Sequence, residues 1–136
     1  MMLKSVQMLI LVSCVALSGL ASGQPANEGP GQSSIEVKLY SFGFSPQKIA
    51  LEHGQPYEIH FVNASHGGHD FTAKDFFAVA RVRPEDRAKI DDGKVKLDGG
   101  ETATVDLIAP ASGIYEFHCS HFLHAERGMK GQIVVR

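Results

Sequence analysis

The 136-residue chain carries 13 Lys and Arg against 15 Asp and Glu, a formal net charge of −2, too mild to favour nucleic acid or an anionic membrane as a partner. Its length accommodates one hydrophobic core, so the expectation is one domain with one site. With two cysteines, Cys14 and Cys119, it is no disulfide-dense scaffold.

The first element is not part of a fold. Met1 to Lys4 brings one positive charge, Val6 to Leu17 is almost wholly apolar, and small residues follow in LSGLASGQPA. That order is the pattern of a secretory signal peptide, and the apolar run is too short to span a bilayer. Residues 1–23 are read as that signal, with Ala21 and Gly23 at the −3 and −1 positions of a cut before Gln24. The protein is expected to be periplasmic, with no membrane span once cut. Leu11-Val12-Ser13-Cys14 resembles the box before a lipid-modified cysteine, but Val15, Ala16 and Leu17 continue the apolar run and argue against lipid anchoring at Cys14. Loss of Lys4 leaves 12 basic against 15 acidic side chains, a net −3. Loss of Cys14 leaves Cys119 as the sole thiol, so no intramolecular disulfide is possible.

Residues 24–34 (QPANEGPGQSS) are rich in Gly, Pro and Ser and read as a flexible leader. The domain, 35–136, begins with short runs at period two: IEVKLY, QKIALE and YEIHFVN, separated by the turn-rich SFGFSP and EHGQPY. KVKLDGG, ETATVDLIAP, GIYEFHC and GQIVVR continue the pattern. Strands this short and numerous predict an all-β antiparallel Greek-key sandwich. Asp75 to Ile90 is the exception. Pro84-Glu85-Asp86 makes a helix start with Pro in the first turn and acids beside it, so one or two short helices are expected as an insert near 75–90. Within it, Phe76 and Phe77 are read first as packing residues, with a cover or docking patch as the alternative.

Residues 117–131, FHCSHFLHAERGMKG, concentrate the chemistry. With GIYEFHC as a strand, Tyr115, Phe117 and Cys119 share one face, while Glu116 and His118 share the other. Cys119 then sits at the core side of a strand end, where a cysteine is either inert packing or a soft-metal ligand. Its company favours the ligand: His124 lies five positions on, Met129 ten positions on, and His69 stands in a separate loop, HGGHDF. Two imidazoles, a thiolate and a thioether are the donors of a mononuclear electron-transfer copper site. His121 competes with His124 as a ligand by position. Zinc also suits two imidazoles and a thiolate, but a Met ligand would be unusual for it.

FHCSHFLHAERGMKGQIVV resembles the C-terminal ligand loop and closing strand of the cupredoxin family, and its Cys-x4-His-x4-Met spacing is similar to that of the auracyanin and rusticyanin types. SFGFSPQKIALEHGQPYEIHFVN followed by His-Asp-Phe is similar to the family's N-terminal half. The resemblance covers roughly Ile35 to Arg136 and is weakest over 75–90. It implies a cupredoxin-like sandwich, one copper ion cycling between Cu(I) and Cu(II), and His69, Cys119, His124 and Met129 as ligands, with His124 preferred to His121. Asp70 stands where many members have Asn or Ser tying two ligand loops together, and its charge would favour Cu(II) and lower the reduction potential.

The function expected is a one-electron carrier, monomeric, between redox partner proteins such as a cytochrome or an oxidase. The alternative is a periplasmic copper-binding protein for tolerance or delivery, with His66 and His121 as capture ligands. An apolar rim of Phe122 and Leu123 around His124 would favour the carrier, and convergence of His66 and His121 the handler. An enzyme is not expected: no His-x-His pair occurs in the sequence, and Cys119 has no acid-base partner distinct from the expected ligands.

Overall fold

The computed structural model describes residues 31–136. The expected export signal, Cys14 and most of the leader lie outside the described residues. Strand β1 (Ser33–Tyr40) starts two residues before Ile35, because Ser33 and Ser34 pair with Tyr57 and Glu58.

The described residues form ten strands, one α-helix and one 3-10 helix. These are β1, β2 (Gly43–Ser45), β3 (Lys48–Leu51), β4 (Pro56–Asn63), β5 (His69–Thr72), α1 (Lys74–Val79), β6 (Arg81–Val82), a 3-10 helix at Pro84–Lys89, β7 (Lys94–Leu97), β8 (Thr102–Ile108), β9 (Gly113–His118) and β10 (Lys130–Val135). They form two five-stranded sheets, ordered β2-β1-β4-β8-β6 and β3-β10-β9-β5-β7. The architecture is the expected Greek-key sandwich. Most pairs are antiparallel; β1 with β4 and β3 with β10 run parallel. Among the described residues no helix is long and apolar enough to cross a membrane.

Alternation places the core. Tyr57, Ile59, Phe61 and Asn63 point inward from β4, and Val37 and Leu39 from β1. The second sheet contributes Phe71, Phe117, Ile133 and Val135. Phe71 and Phe117 stack with centroids 4.5 Å apart, and Phe44 meets both edge-on at 5.8 and 5.1 Å. Such aromatic pairs stabilise beyond the area they bury. Gly131 is needed where β10 passes β3: a Cβ there would stand 2.2 Å from the Gln47 carbonyl oxygen and 2.4 Å from the Phe117 ring.

Three short strands escape the sequence pattern. β2 lies in the stretch read as a turn, β5 is buried on both faces and so shows no alternation, and β6 interrupts the insert to pair with β8. The insert otherwise carries two helical segments, the second with Pro84 at its start. Phe76 is fully buried and packs against Tyr115 and Phe77 at 5.6 and 5.5 Å, so this pair serves packing.

The insert is fastened by Asp86. Its side chain is buried, accepts the Asp106 N–H at 2.9 Å and pairs with Lys89 Nζ at 2.6 Å. Burial pushes its pKa up, but the bonds from Lys89 and Asp106 and the charges of Lys89 and Arg83 outweigh this and hold it below the usual carboxylate value. The folded value therefore lies below the unfolded one, so the ionised group contributes stability above the ordinary carboxylate range. That contribution is lost as pH falls through the folded value. Asp86→Ala should lower unfolding free energy by about 1–2 kcal/mol at neutral pH. In urea titrations the gap from wild type should close as pH is taken below about 4; a gap independent of pH would remove the ionic part of the account.

Candidate metal centre

Both halves of the site grow from the ends of two interior strands, β5 and β9, at one end of the second sheet. β5 and β9 are joined through the Thr72–His118 pairing, which places His69, at the start of β5, beside Cys119, just past β9. On each strand alternation carries the core face to the site: Phe71 and His69 on β5, Phe117 and Cys119 on β9. The aromatic floor of the core thus ends in the two ligand candidates.

The loop from Cys119 to Met129 brings the third. It is sewn by the Cys119 N–H donating to the Met129 carbonyl at 3.1 Å, the Met129 N–H to the His124 carbonyl at 3.0 Å, and the His124 N–H to the His121 carbonyl at 3.1 Å. Cys119 Sγ lies 3.4 Å from His124 Nδ1 and 3.9 Å from His69 Nδ1. One donor atom from each of the three falls within 4.8 Å of the others. A sulfur and a nitrogen bound to one ion through bonds of roughly 2.3 and 2.0–2.1 Å at near-tetrahedral to trigonal angles stand about 3.6–3.8 Å apart. The separations fit a single ion shared by all three, and the donor set suits copper or zinc. Met129 is fully buried at the end of the same loop.

Electrostatics prepare these groups differently. Burial, then the neighbouring imidazoles of His124 and His121, lower the His69 pKa against a smaller pull from Asp70, which keeps a neutral ring with a lone pair to donate. Burial pushes the Cys119 thiol up, while the backbone N–H groups of Asp70 and His121, bonded to the sulfur, pull the other way. A cation held by these donors would supply the missing stabilisation of the thiolate.

The two halves are tied by Asp70, whose side chain is 2% exposed. Its carboxylate accepts the Ser120 N–H at 2.9 Å, the Ser120 hydroxyl at 2.6 Å and the Thr72 hydroxyl. Burial alone would raise its pKa; the Ser120 and Thr72 bonds and nearby His121 leave it below the usual value, so the group is a buried carboxylate. The loop preceding His69 has its own organiser in Asn63. The two hydrogens of its buried amide are shared among the carbonyls of Gly67, Leu97 and Asp98 at 2.8, 3.1 and 3.0 Å, and its oxygen accepts the Ser65 N–H and hydroxyl. Neither Asn63 nor Ser120 was singled out by sequence reasoning. Asn63 had a signal, since Asn-x-Ser before two glycines marks a side-chain-closed turn; Ser120 had none.

The remaining histidines separate. His121 approaches the cluster, its centroid 5.3 Å from that of His124 and 6.2 Å from that of His69. His66 is exposed and is not in the cluster. His53 bonds the Pro110 carbonyl and His60 the Thr104 hydroxyl, and His118 is exposed on the outer face of β9. Phe122 is 88% exposed and Leu123 41%, flanking His124 in the loop. Phe42 meets His124 in a T-shaped contact with ring centroids 5.1 Å apart, and the Arg127 guanidinium carbon lies over the Phe42 ring, 5.0 Å from its centroid. Phe42 and Leu123 both hold left-handed backbone, φ 63° and 61°, conformations costing about 1–3 kcal/mol each for such residues. Strain therefore sits beside His124.

Asp70→Ala would orphan the Ser120 and Thr72 donors. It should lower the stability of the metal-free protein by about 2–4 kcal/mol in urea titrations, whereas Glu126→Ala, on the exposed side of the loop, should change it by no more than about 0.5 kcal/mol. Equal effects from the two would show that Asp70 ties nothing.

No curated protein sequence matches the chain. Solved structures do. Auracyanin A, a "blue" copper protein from Chloroflexus aurantiacus, is 23% identical with a TM-score of 0.56, covering 78% of this chain and all of its own. Auracyanin B is 21% identical with a TM-score of 0.58, covering 81% of this chain and 92% of its own. Dithionite-reduced auracyanin from Roseiflexus castenholzii is 20% identical with a TM-score of 0.57, covering 77% of this chain and 98% of its own. At these identities the likeness is one of fold. The family described as "Cupredoxin-like domain" matches residues 7–135, nearly the whole sequence, and the chain belongs to the cupredoxin-like family.

Proposed function

We propose that the protein is an exported, mononuclear type 1 copper protein that carries single electrons between redox partner proteins, and that His69, Cys119, His124 and Met129 hold its copper ion. The observation that carries this reading is the convergence of His69 Nδ1, Cys119 Sγ and His124 Nδ1 at one point beneath the surface. Two imidazoles and a thiolate satisfy both oxidation states: the sulfur favours Cu(I), the imidazoles accept Cu(II). Sewn loop ends and the Asp70 tie hold the donors in place, so little rearrangement accompanies a change of charge. Transfer is fast when reorganisation is small.

The apolar rim of Phe42, Phe122 and Leu123 beside half-buried His124 supports the carrier over copper handling. It offers a low-polarity face where a partner can dock near an imidazole ligand. Export to the periplasm rests on the N-terminal sequence, and the carrier role on the one donor cluster found among the described residues. The second reading, copper binding for tolerance or delivery, draws on the approach of His121 to the cluster.

The first test is the visible and EPR spectrum after one equivalent of Cu(II), beside Cys119→Ser. The proposal expects an intense thiolate-to-copper absorption with narrow copper hyperfine splitting, lost in the variant. A weak nitrogen-and-oxygen spectrum indifferent to Cys119→Ser would replace the carrier with capture by histidines. Given the type 1 spectrum, voltammetry of Asp70→Asn should show a higher potential than wild type, because removing a buried negative charge beside the ion disfavours Cu(II) relative to Cu(I); a potential unchanged or lowered would count against a charge effect from Asp70.

A further inference from the structure

Resting on the copper reading above, we infer that His121 is a loading ligand: an accessible imidazole that takes a hydrated Cu(II) ion at the mouth of the cluster and passes it inward. Three features separate it from the expected resident ligands. Its side chain is 46% exposed, while His69 and Cys119 are 5% and 1% exposed, so the ion meets His121 before the buried donors. Among the described residues its ring nitrogens make no hydrogen bond. The Asp70 carboxylate stands 3.7 Å from Nε2, beyond hydrogen-bond length. The ring is therefore free to donate a lone pair, and an anionic carboxylate lies behind it to attract a cation.

The His121 ring lies against the Gly68 backbone, its Cε1 3.6 Å from where a Gly68 Cβ would stand. It is nearly parallel to His69 at 26° between planes and next to His124. An ion on His121 is within one ligand exchange of both. The sequence of events conserves charge and electrons. A water leaves Cu(II) as the His121 nitrogen binds; the imidazoles of His124 and His69 displace further waters; the Cu–S bond to Cys119 forms as its S–H proton passes to solvent, and His121 dissociates. Copper stays Cu(II) throughout. Tethering on His121 turns the last steps from a search by a dilute ion into an intramolecular transfer at a high effective concentration.

The experiment is stopped-flow mixing of the metal-free protein with equimolar Cu(II) in a non-chelating buffer, following the thiolate-to-copper band in wild type, His121→Ala and His121→Gln. Both variants should load on the order of tenfold more slowly, by loss of the tethered intermediate, and reach the wild-type band intensity. Because His121 is absent from the final ligand set, it accelerates both directions alike, so release of copper to excess chelator should slow by the same factor with affinity unchanged. Equal loading rates in all three proteins would overturn the inference. A weaker or shifted final band in the variants would overturn it too, by making His121 part of the resident site or its scaffold. Failure of the copper reading is distinct: no intense band would develop in wild type at any time.

Discussion

The carboxylate of Asp70 is the constraint on which the site depends. A charge withdrawn from water is costly unless every lone pair finds a donor, and here Ser120 gives two hydrogen bonds and Thr72 a third. Two of these residues are immediate neighbours of ligand candidates: Asp70 follows His69, and Ser120 follows Cys119. The demand of one buried anion thus fixes the separation of two segments 50 residues apart in sequence, and its own backbone N–H is turned onto the Cys119 sulfur. An Asn could donate to a carbonyl or accept from an amide, but it would not hold three donors so strongly. The substitution of Asp for the more usual amide couples loop geometry to electrostatics in this chain.

Beneath that tie lies a floor of packed rings. Phe44, Phe71 and Phe117 interlock, and Phe71 and Phe117 are the inward neighbours, two residues away, of His69 and Cys119. Close-packed interiors resist displacement, so the first two donors are anchored in the least compliant part of the molecule. His124 is different. It is held by its loop and by Phe42, a contact on the surface, and the left-handed residues Phe42 and Leu123 show that the rim adopts its shape against local backbone preference. Rigidity and exposure are divided between the ligand candidates: the buried pair sets the pocket, and the outer imidazole meets the surroundings.

Much of this was legible in the sequence because it is written in periodicity. The longer strands alternate, and the FHCSHFLHAERGMKG stretch announces donors at a strand end and in the loop after it. The elements that were missed fail for physical reasons. β5 is buried on both faces, so His69-Asp70-Phe71-Thr72 carries no alternation to read. β2 and β6 are two or three residues long and exist only because a neighbouring strand pairs with them. The parallel pairing of β1 with β4 and of β3 with β10 depends on how the chain crosses between sheets, which no local pattern encodes. Within the site, ligand candidates are recognisable by residue type, whereas Asn63 and Ser120 act through backbone partners distant in sequence, and a lone Asn or Ser looks the same in any solvated turn.

β10 has one further consequence, for the order in which the molecule can be made. It lies between β3 and β9 in the second sheet, and it follows the ligand loop in the chain. The loop closes only when Met129 bonds back to Cys119 and β10 inserts beside β9. A chain emerging from N- to C-terminus therefore has His69, Cys119 and His124 exposed to its surroundings before they have been brought together. The geometry that gathers the three donors exists only once β10 has paired, so the strand after the loop completes a site whose donors all precede it.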